Sequence, residues 1–416
     1  MMDYYDGLET RSPEQREAAL MAALPGQIAH AKSKAPGFGR ILAGVDPAAV
    51  TSRAALARLP VTRKSDLGEL QKTIPPLGGL NATPRAKLAK LFASPGPIYE
   101  PEGLGKDWWR TARGLYAGGF RAGDLVMNTF AYHFTPAGSM LESGALALGC
   151  TVVPTGVGQT EMQVAAIRDL GINAFVGTPS FLKLIADKAD ELKLDISALR
   201  KAVVGAEYLP PALRKAMGER GIQVMQLYAT ADLGHLAYET ALPDGTLNEG
   251  MVLDEGLILE IVRPGTGDPV PEGEVGEVVI TSFNRDYPLV RFGTGDLSAV
   301  LPGASACGRT NTRIKGWMGR ADQSTKVRAL FITAKQVNEI LRRHPEVMRA
   351  RLVVEGEVGK DRMTLRCEAQ EQPDGLAEAI VTTIRDVTKL RGEIEFLAPG
   401  SLPNDGKVID DLRKYG

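Results

Sequence analysis

Between Asp124 and Thr230, strand-like and helix-like segments alternate without a break. DLVMNTF (124–130), TVVPTG (151–156), NAFVGTP (173–179), RKAVVGAE (200–207) and IQVMQLYAT (222–230) are short, β-branched or apolar runs. Between them, SMLESGALALG (139–149), TEMQVAAIRDLG (160–171), SFLKLIADKADEL (180–192) and PPALRKAMGERG (210–221) carry helical periodicity. A chain so ordered predicts an α/β fold: a parallel sheet with helices packed on it. Ligands in such sheets bind beyond the carboxyl ends of the strands, so GTP (177–179), GAE (205–207) and LYATAD (227–232) point at a site.

The flanks read differently. The first 90 residues look helical and dotted with basic side chains, and Ser12 is set to cap a helix opened by Pro13. After Leu242, glycine-spaced strands (LILEIVRP, GEVGEVVITSF, LVRFGTGDLSAV) predict a small antiparallel subdomain spanning about 242–310. From Gly319 onward, strands RALFIT, RLVVEG, RMTLRCEA and GEIEFLAP mix with helices AKQVNEILRRH and GLAEAIVTTIRDVTKL, an α+β unit of domain size. At 416 residues the chain exceeds one ordinary domain.

Composition excludes several classes of function. Lys+Arg 49 against Asp+Glu 50 leaves a net charge of −1, so no bulk field favours nucleic acid or a membrane surface. Three scattered cysteines form neither a disulfide framework nor a zinc cluster. No apolar run reaches the roughly 18 residues that span a bilayer. The acidic, polar start MMDYYDGLETRSPEQ is no secretory signal, so a cytoplasmic protein is expected.

The strongest local signal is PLVRFGTGDLSAV (288–300). Gly293 and Gly295 let the chain turn after a strand and present Asp296, whose carboxylate can accept two ribose hydroxyls or serve as an Asx-type turn residue. In CGRTNTRIKGWMGRAD (307–322), Arg309 and Arg320 are either phosphate or ribose contacts or surface arginines.

YDGLETRSPEQ (5–15), GAEYLPPALRK (205–215), LYATADLGHLAYE (227–239), PLVRFGTGD, GRTNTRIKGWMGRAD and LPNDGKVIDDLR (402–413) occur in the order found in phenylacetate–coenzyme A ligases. The chain resembles this family of adenylate-forming acyl-activating enzymes from about residue 3 to its end. The resemblance implies a large multi-sheet N-terminal adenylation domain (1–321) and a small, mobile C-terminal α+β domain (322–416), hinged at Asp322. It implies ATP, magnesium and coenzyme A as cofactors and a small carboxylic acid, aromatic like phenylacetate, as substrate. It leaves the oligomeric state open, a homodimer included. The reaction would pass through an acyl-adenylate. By motif, Gly205, Ala206 and Glu207 would lie along the adenine. Tyr228, Ala229 and Thr230 would lie beside it, Asp296 would bind the ribose, and Arg309 and Arg320 would add nucleotide contacts. Lys407 would be the catalytic cation, although without the resemblance it reads as a solvated tail lysine. Tyr132, His133 and Phe134 in AYHFTPAG, with Gly177, Thr178 and Pro179, would line the acyl pocket, an inference that competes with ordinary core roles.

Departures from the family pattern fall on the phosphates. LFASPGPIYEP (91–101) stands at the phosphate-loop position, with Ser94, Gly96 and Glu100 as its candidate residues. Pro95 and Pro97 donate no amide hydrogen bond. Glu100 replaces a lysine, and as an anion about 4 Å from a phosphate charge it would oppose it by about 4 kcal/mol at an effective dielectric of 20. Asp232 replaces a glutamate that helps position magnesium. Ala329 and Phe331 in VRALFIT replace Gly and Asn near the family's coenzyme A tunnel, and AYETALPDGTLNEG (237–250) lacks the family's zinc cysteines. Two alternatives follow: an adenylating enzyme that passes its acyl group to an amine or carrier protein, and a non-adenylating relative that binds a nucleotide or acyl-adenylate.

Overall fold

The computed structural model describes residues 3–262, 267–321, 324–328, 330–356, 361–402 and 408–413, without the side chains of 334, 335 and 338. It divides into two compact units, Met1–Ala321 and Asp322–Gly416.

The first unit is built on a nine-stranded sheet. Strands Thr151–Val153, Leu125–Asn128, Ala174–Gly177, Lys201–Val204 and Gln223–Thr230 run parallel, in that spatial order. Their central members are buried along their length, which is why they read as continuous apolar runs rather than as alternation. Helices Thr160–Leu170, Pro179–Leu192 and Pro211–Glu219 pack Val164, Ile167, Leu182, Ile185, Leu213 and Met217 against the sheet residues Phe175, Ala202 and Val224. A separate cluster joins the sheet residues Val126, Val176 and Met225 to Leu115, Met140, Leu141 and Trp109. Local chemistry sets the helix ends. Thr178 Oγ1 accepts from the Phe181 amide and Pro179 takes the first helical position. Gly171, at φ +67°, closes the preceding helix.

At Thr230 the sheet changes character. Gly234–Tyr238 returns antiparallel beside Gln223–Thr230, so Asp232 sits in the turn where the parallel sheet reverses. Met251–Leu253, Arg313–Ile314 and Val300–Leu301 extend this antiparallel side. The antiparallel stretch predicted as one subdomain is therefore shared between two sheets. Leu257–Val262, Gly276–Ser282 and Phe292–Ser298 form a second, four-stranded sheet. Its fourth member is Thr62–Arg63, a two-residue strand pairing parallel with Phe292 and Gly293. Sequence pattern could not assign strands of two to seven residues to one sheet or the other.

In the second unit, Glu393–Leu397, Arg362–Ala369, Val347–Glu355 and Ile409–Asp411 make a four-stranded sheet. Helices Ala334–Arg343 and Leu376–Thr388 cover it through Val337, Ile340, Ile380 and Ile384, packed on Leu352 and Leu365. Hairpin Ser324–Val327/Leu330–Thr333 precedes them.

Candidate active site

Strand Phe292–Ser298 delivers the first half of the site. A side chain at Gly293 would displace Glu277 Oε1, 2.6 Å away, and Gly295 adopts φ +76°, which favours glycine on the path that presents Asp296. The Asp296 carboxylate accepts from Tyr228 Oη (2.7 Å), Trp317 Nε1 (3.1 Å) and Arg320 Nη1 (2.7 Å). Burial and then the Asp296 charge push the Tyr228 phenol well above its ordinary value, so it stays a donor. Tyr228, Asp296 and Arg320, three residues expected at one nucleotide, thus share one network.

Arg309 does not join them. Its guanidinium is buried, paired with Glu9 (3.2 Å), donates to the Asp3 carbonyl and lies over the Tyr4 and Tyr238 rings. It anchors the N-terminal segment, as Arg113 does through Asp6 and Arg16 through Glu255.

The remaining nucleotide candidates lie at neighbouring strand ends. The Gly205 amide donates to the Gly177 carbonyl, and Glu207 accepts from the Ser180 amide while its carbonyl takes Gln226 Nε2. Ala206 is exposed and held at φ +65°, a left-handed conformation unusual for a residue with a Cβ. Ala229 borders a β-bulge beside Tyr228, and Thr230 Oγ1 accepts from the Leu233 amide, shaping the Asp232 turn.

The acyl-pocket candidates cluster over the ends of Leu125–Asn128 and Ala174–Gly177. Tyr132 Oη accepts from Asn128 Nδ2 (2.8 Å), and the Phe134 carbonyl takes the Ala93 amide (2.7 Å). Phe134 itself is 78% exposed at φ +61°, and His133 is exposed, so neither is core. A Cβ at Gly177 would meet Thr129 Oγ1 at 2.1 Å and the Phe175 ring at 2.6 Å, so packing admits no side chain there.

The phosphate-loop position is a β-hairpin. Lys90–Ser94 pairs antiparallel with Ile98–Glu102, leaving only Pro95, Gly96 and Pro97 at the tip. The hairpin is fixed on several sides. Gln71 exchanges two hydrogen bonds with the Tyr99 backbone (2.7 and 2.9 Å). Glu102 accepts from Lys90, Ser139 and Trp109. Glu100 is 0% exposed and accepts from both the amide and the hydroxyl of Ser94.

Burial first, and then the nearby Asp232 charge, push the Glu100 carboxyl up to about 8. Burial, the turn inward onto Ser94 and the neighbouring Asp232 charge favour the neutral form of Glu100, which weakens the opposition to phosphate expected of it. Its neighbour is a cation that sequence reasoning missed. Lys64 Nζ lies 2.5 Å from Asp232 Oδ2. Burial alone would lower the Lys64 ammonium, but Asp232 overrides it and holds it above its ordinary value. Lys64 follows the strand Thr62–Arg63, whose parallel pairing with Phe292–Gly293 carries it to the same end of the molecule as Asp296. VTRKSDL (61–67) offered no signal beyond one lysine after a short β-branched run.

Asp232 Oδ1 is buried without a hydrogen-bond partner. One open carboxylate oxygen suits magnesium, which keeps most of its ligands as water and phosphate. Among the described residues no group of three or more His, Cys, Asp or Glu forms a metal cluster. Lys407 and Asp322 lie outside the described residues, as does Ala329. Among the described residues no helix is long and apolar enough to cross a membrane.

The model of the AMP-binding enzyme family matches residues 107–284. Phenylacetate-coenzyme A ligase of Thermus thermophilus is 31% identical, with 99% of this chain and 100% of that protein covered. The Escherichia coli enzyme of the same name is 30% identical over 80% of this chain and 78% of its own. In fold, 2-hydroxyisobutyryl-CoA ligase in complex with 2-HIB-AMP and CoA superposes with a TM-score of 0.83 at 24% identity, covering 98% of this chain and 92% of that one. The chain belongs to the phenylacetate–coenzyme A ligase family of AMP-binding enzymes.

Proposed function

We propose that this protein is an AMP-forming acid–coenzyme A ligase that activates an aromatic carboxylic acid such as phenylacetate. One observation carries the reading. A carboxylate suited to a ribose diol, Asp296, and an ion pair between half-buried Lys64 and buried Asp232 belong to neighbouring networks, with Arg320 close enough to act on the Lys64 charge. Adenylation needs this combination, because a carboxylate must approach a polyphosphate of the same sign.

In the proposed mechanism Asp296 holds the ribose, with Tyr228 and Arg320 orienting its carboxylate. Gly205, Ala206, Glu207, Ala229 and Thr230 border the adenine. Lys64 neutralises phosphate charge, the task the hairpin cannot perform with Pro95, Pro97 and a neutral Glu100. Asp232 Oδ1 would hold magnesium, and the ion would supply positive charge to offset that of the phosphates. The substrate carboxylate attacks the α-phosphorus and pyrophosphate leaves; the coenzyme A thiol then attacks the acyl carbon and AMP leaves. By its motif, Lys407 would supply a second cation for the reaction. Tyr132, His133, Phe134, Gly177 and Pro179 border the acyl group.

The test is pyrophosphate release with ATP, magnesium and a panel of aryl and alkyl carboxylic acids, followed by thioester detection with coenzyme A. Release that depends on an aromatic acid, then thioester, is expected. Folded protein that binds AMP but releases no pyrophosphate with any acid overturns the reading in favour of a non-adenylating relative. Release without thioester transfers the acyl group to another acceptor.

A further inference from the structure

Lys64 bonds Asp232 at Oδ2, and among the described residues nothing bonds the buried Oδ1. A carboxylate held at one oxygen takes its direction from the backbone that carries it. That backbone is short: Ala231, Asp232 and Leu233 link the last rung of the antiparallel ladder, Thr230 with Gly234. Its return side is gripped from outside the ladder. Arg110 Nη2 donates to the Leu233 carbonyl (2.6 Å) and the His235 carbonyl (3.0 Å), while Nε donates to Asp254 Oδ1 (3.1 Å). The His235 amide donates to the Trp109 carbonyl (3.0 Å), and the buried His235 ring donates through Nδ1 to the Arg110 carbonyl (3.0 Å). A Cβ at Gly234 would lie 2.8 Å from that Trp109 carbonyl, so the two segments pack backbone against backbone.

Arg110 is itself fixed where it leaves the chain. It stands at φ +62°, a left-handed conformation, immediately before helix Thr111–Ala117. Asp107 holds that corner: its carbonyl takes the Arg110 amide (2.9 Å), and its carboxylate takes the Thr111 (2.8 Å) and Ala112 (3.0 Å) amides. The guanidinium is 23% exposed and its Asp254 partner 4%. Three acceptors thus surround one planar fork, an arrangement that lysine cannot reproduce from a single nitrogen.

We infer that Arg110 is the positioning residue of the Asp232 turn: by bonding the Leu233 and His235 carbonyls, it fixes the direction in which Asp232 Oδ1 meets magnesium. Arg110 acts through the turn, not on the nucleotide. Without its grip the ladder rungs remain but the orientation of the turn is lost, so metal affinity falls while the ribose contacts at Asp296 stay. This inference rests on the proposed magnesium role of Asp232.

Arg110→Lys is compared with Arg113→Lys, an equally conservative change at a buried arginine whose bonds go to Asp6 and Glu9 rather than to the turn. Three quantities are read on the full chain: the magnesium concentration giving half-maximal pyrophosphate release, AMP affinity by calorimetry, and hydrogen exchange at the Leu233 and His235 amides. Arg110→Lys is expected to raise the half-saturating magnesium concentration about tenfold, with the rate at saturating magnesium and the AMP affinity within about threefold of the wild type. Exchange at the two amides should quicken about tenfold. Arg113→Lys should lower the denaturant midpoint and move none of the three. If Arg110→Lys does not fold, Arg110→Gln, which keeps a donor for one carbonyl, is measured with the same expectations. An unchanged magnesium requirement, an equal rise in Arg113→Lys, or unaltered exchange overturns the inference. A wild type without magnesium-dependent release removes the proposed function. Exchange then decides the role of Arg110 in the turn: faster in the Arg110 variant alone upholds it, and equal in all three proteins overturns it.

Discussion

The Asp296 corner and the 90–102 hairpin face the same proposed nucleotide and are built on opposite principles. At Asp296 a carboxylate gathers donors from Tyr228, Trp317 and Arg320. In the hairpin, amides and acids are spent on internal bonds: Gln71 on Tyr99, Ser94 on Glu100, and Trp109, Ser139 and Lys90 on Glu102. The first region is organised to meet a ligand and the second to hold its own shape. The hairpin tip offers no amide at Pro95 or Pro97, and Lys64 is a cation the fold brings near Glu100.

The largest test of this contrast removes that cation. Lys64→Met is expected to lower acid-dependent pyrophosphate release by about 100-fold or more while AMP affinity changes by less than about threefold. Equal losses in both measurements would erase the distinction between the two regions. Asp296→Ala attacks the other side. It leaves Arg320 without its carboxylate, and AMP affinity measured by calorimetry should fall about 100-fold, close to 3 kcal/mol.

Glu100→Gln probes the hairpin through pH. The wild-type carboxyl is raised from 4.5 to about 8, so the stability contributed by its protonated form is complete below 4.5 and is lost as pH rises through 8. Glutamine keeps the neutral form at every pH. The variant should match the wild type near pH 5 and exceed it by on the order of 2 kcal/mol at pH 8, read from denaturant midpoints of the two proteins. A gain that does not grow with pH would show that Glu100 is already ionised. The smallest effect belongs to Gln71→Ala, which removes the two bonds to Tyr99. Hydrogen exchange at the Tyr99 amide should quicken about tenfold, with AMP affinity unaltered.

Much of the large sheet was legible because its short apolar strands alternate regularly with helices that carry their own start and stop signals, Thr178–Pro179 and Gly171 among them. Motif order put Asp296, Tyr228 and Arg320 at one nucleotide, but not the direct bonds of Tyr228 and Arg320 to the Asp296 carboxylate, which join positions 68 and 24 residues apart in the chain. Lys64 was invisible for a plain physical reason: its position depends on two residue pairs of parallel ladder, Thr62 with Phe292 and Arg63 with Gly293. Arg309 misled for the converse reason, since a Gly-Arg pair looks the same whether it binds phosphate or a buried Glu9. The turn at LFASPGPIYEP was readable, but not the burial of Glu100 or its nearness to Asp232, over 130 residues away in sequence.

That hairpin also bears on the timing of capture. A glycine-rich loop that wraps an anion loses about 1–2 kcal/mol of conformational freedom per ordered residue each time it closes. Here the ladder, the Gln71 bracket and the two prolines remove that freedom once, when the chain folds. An arriving anion meets a surface already in its final shape, so its rate of association should follow diffusion and charge, with a weak dependence on temperature and no separate closure phase.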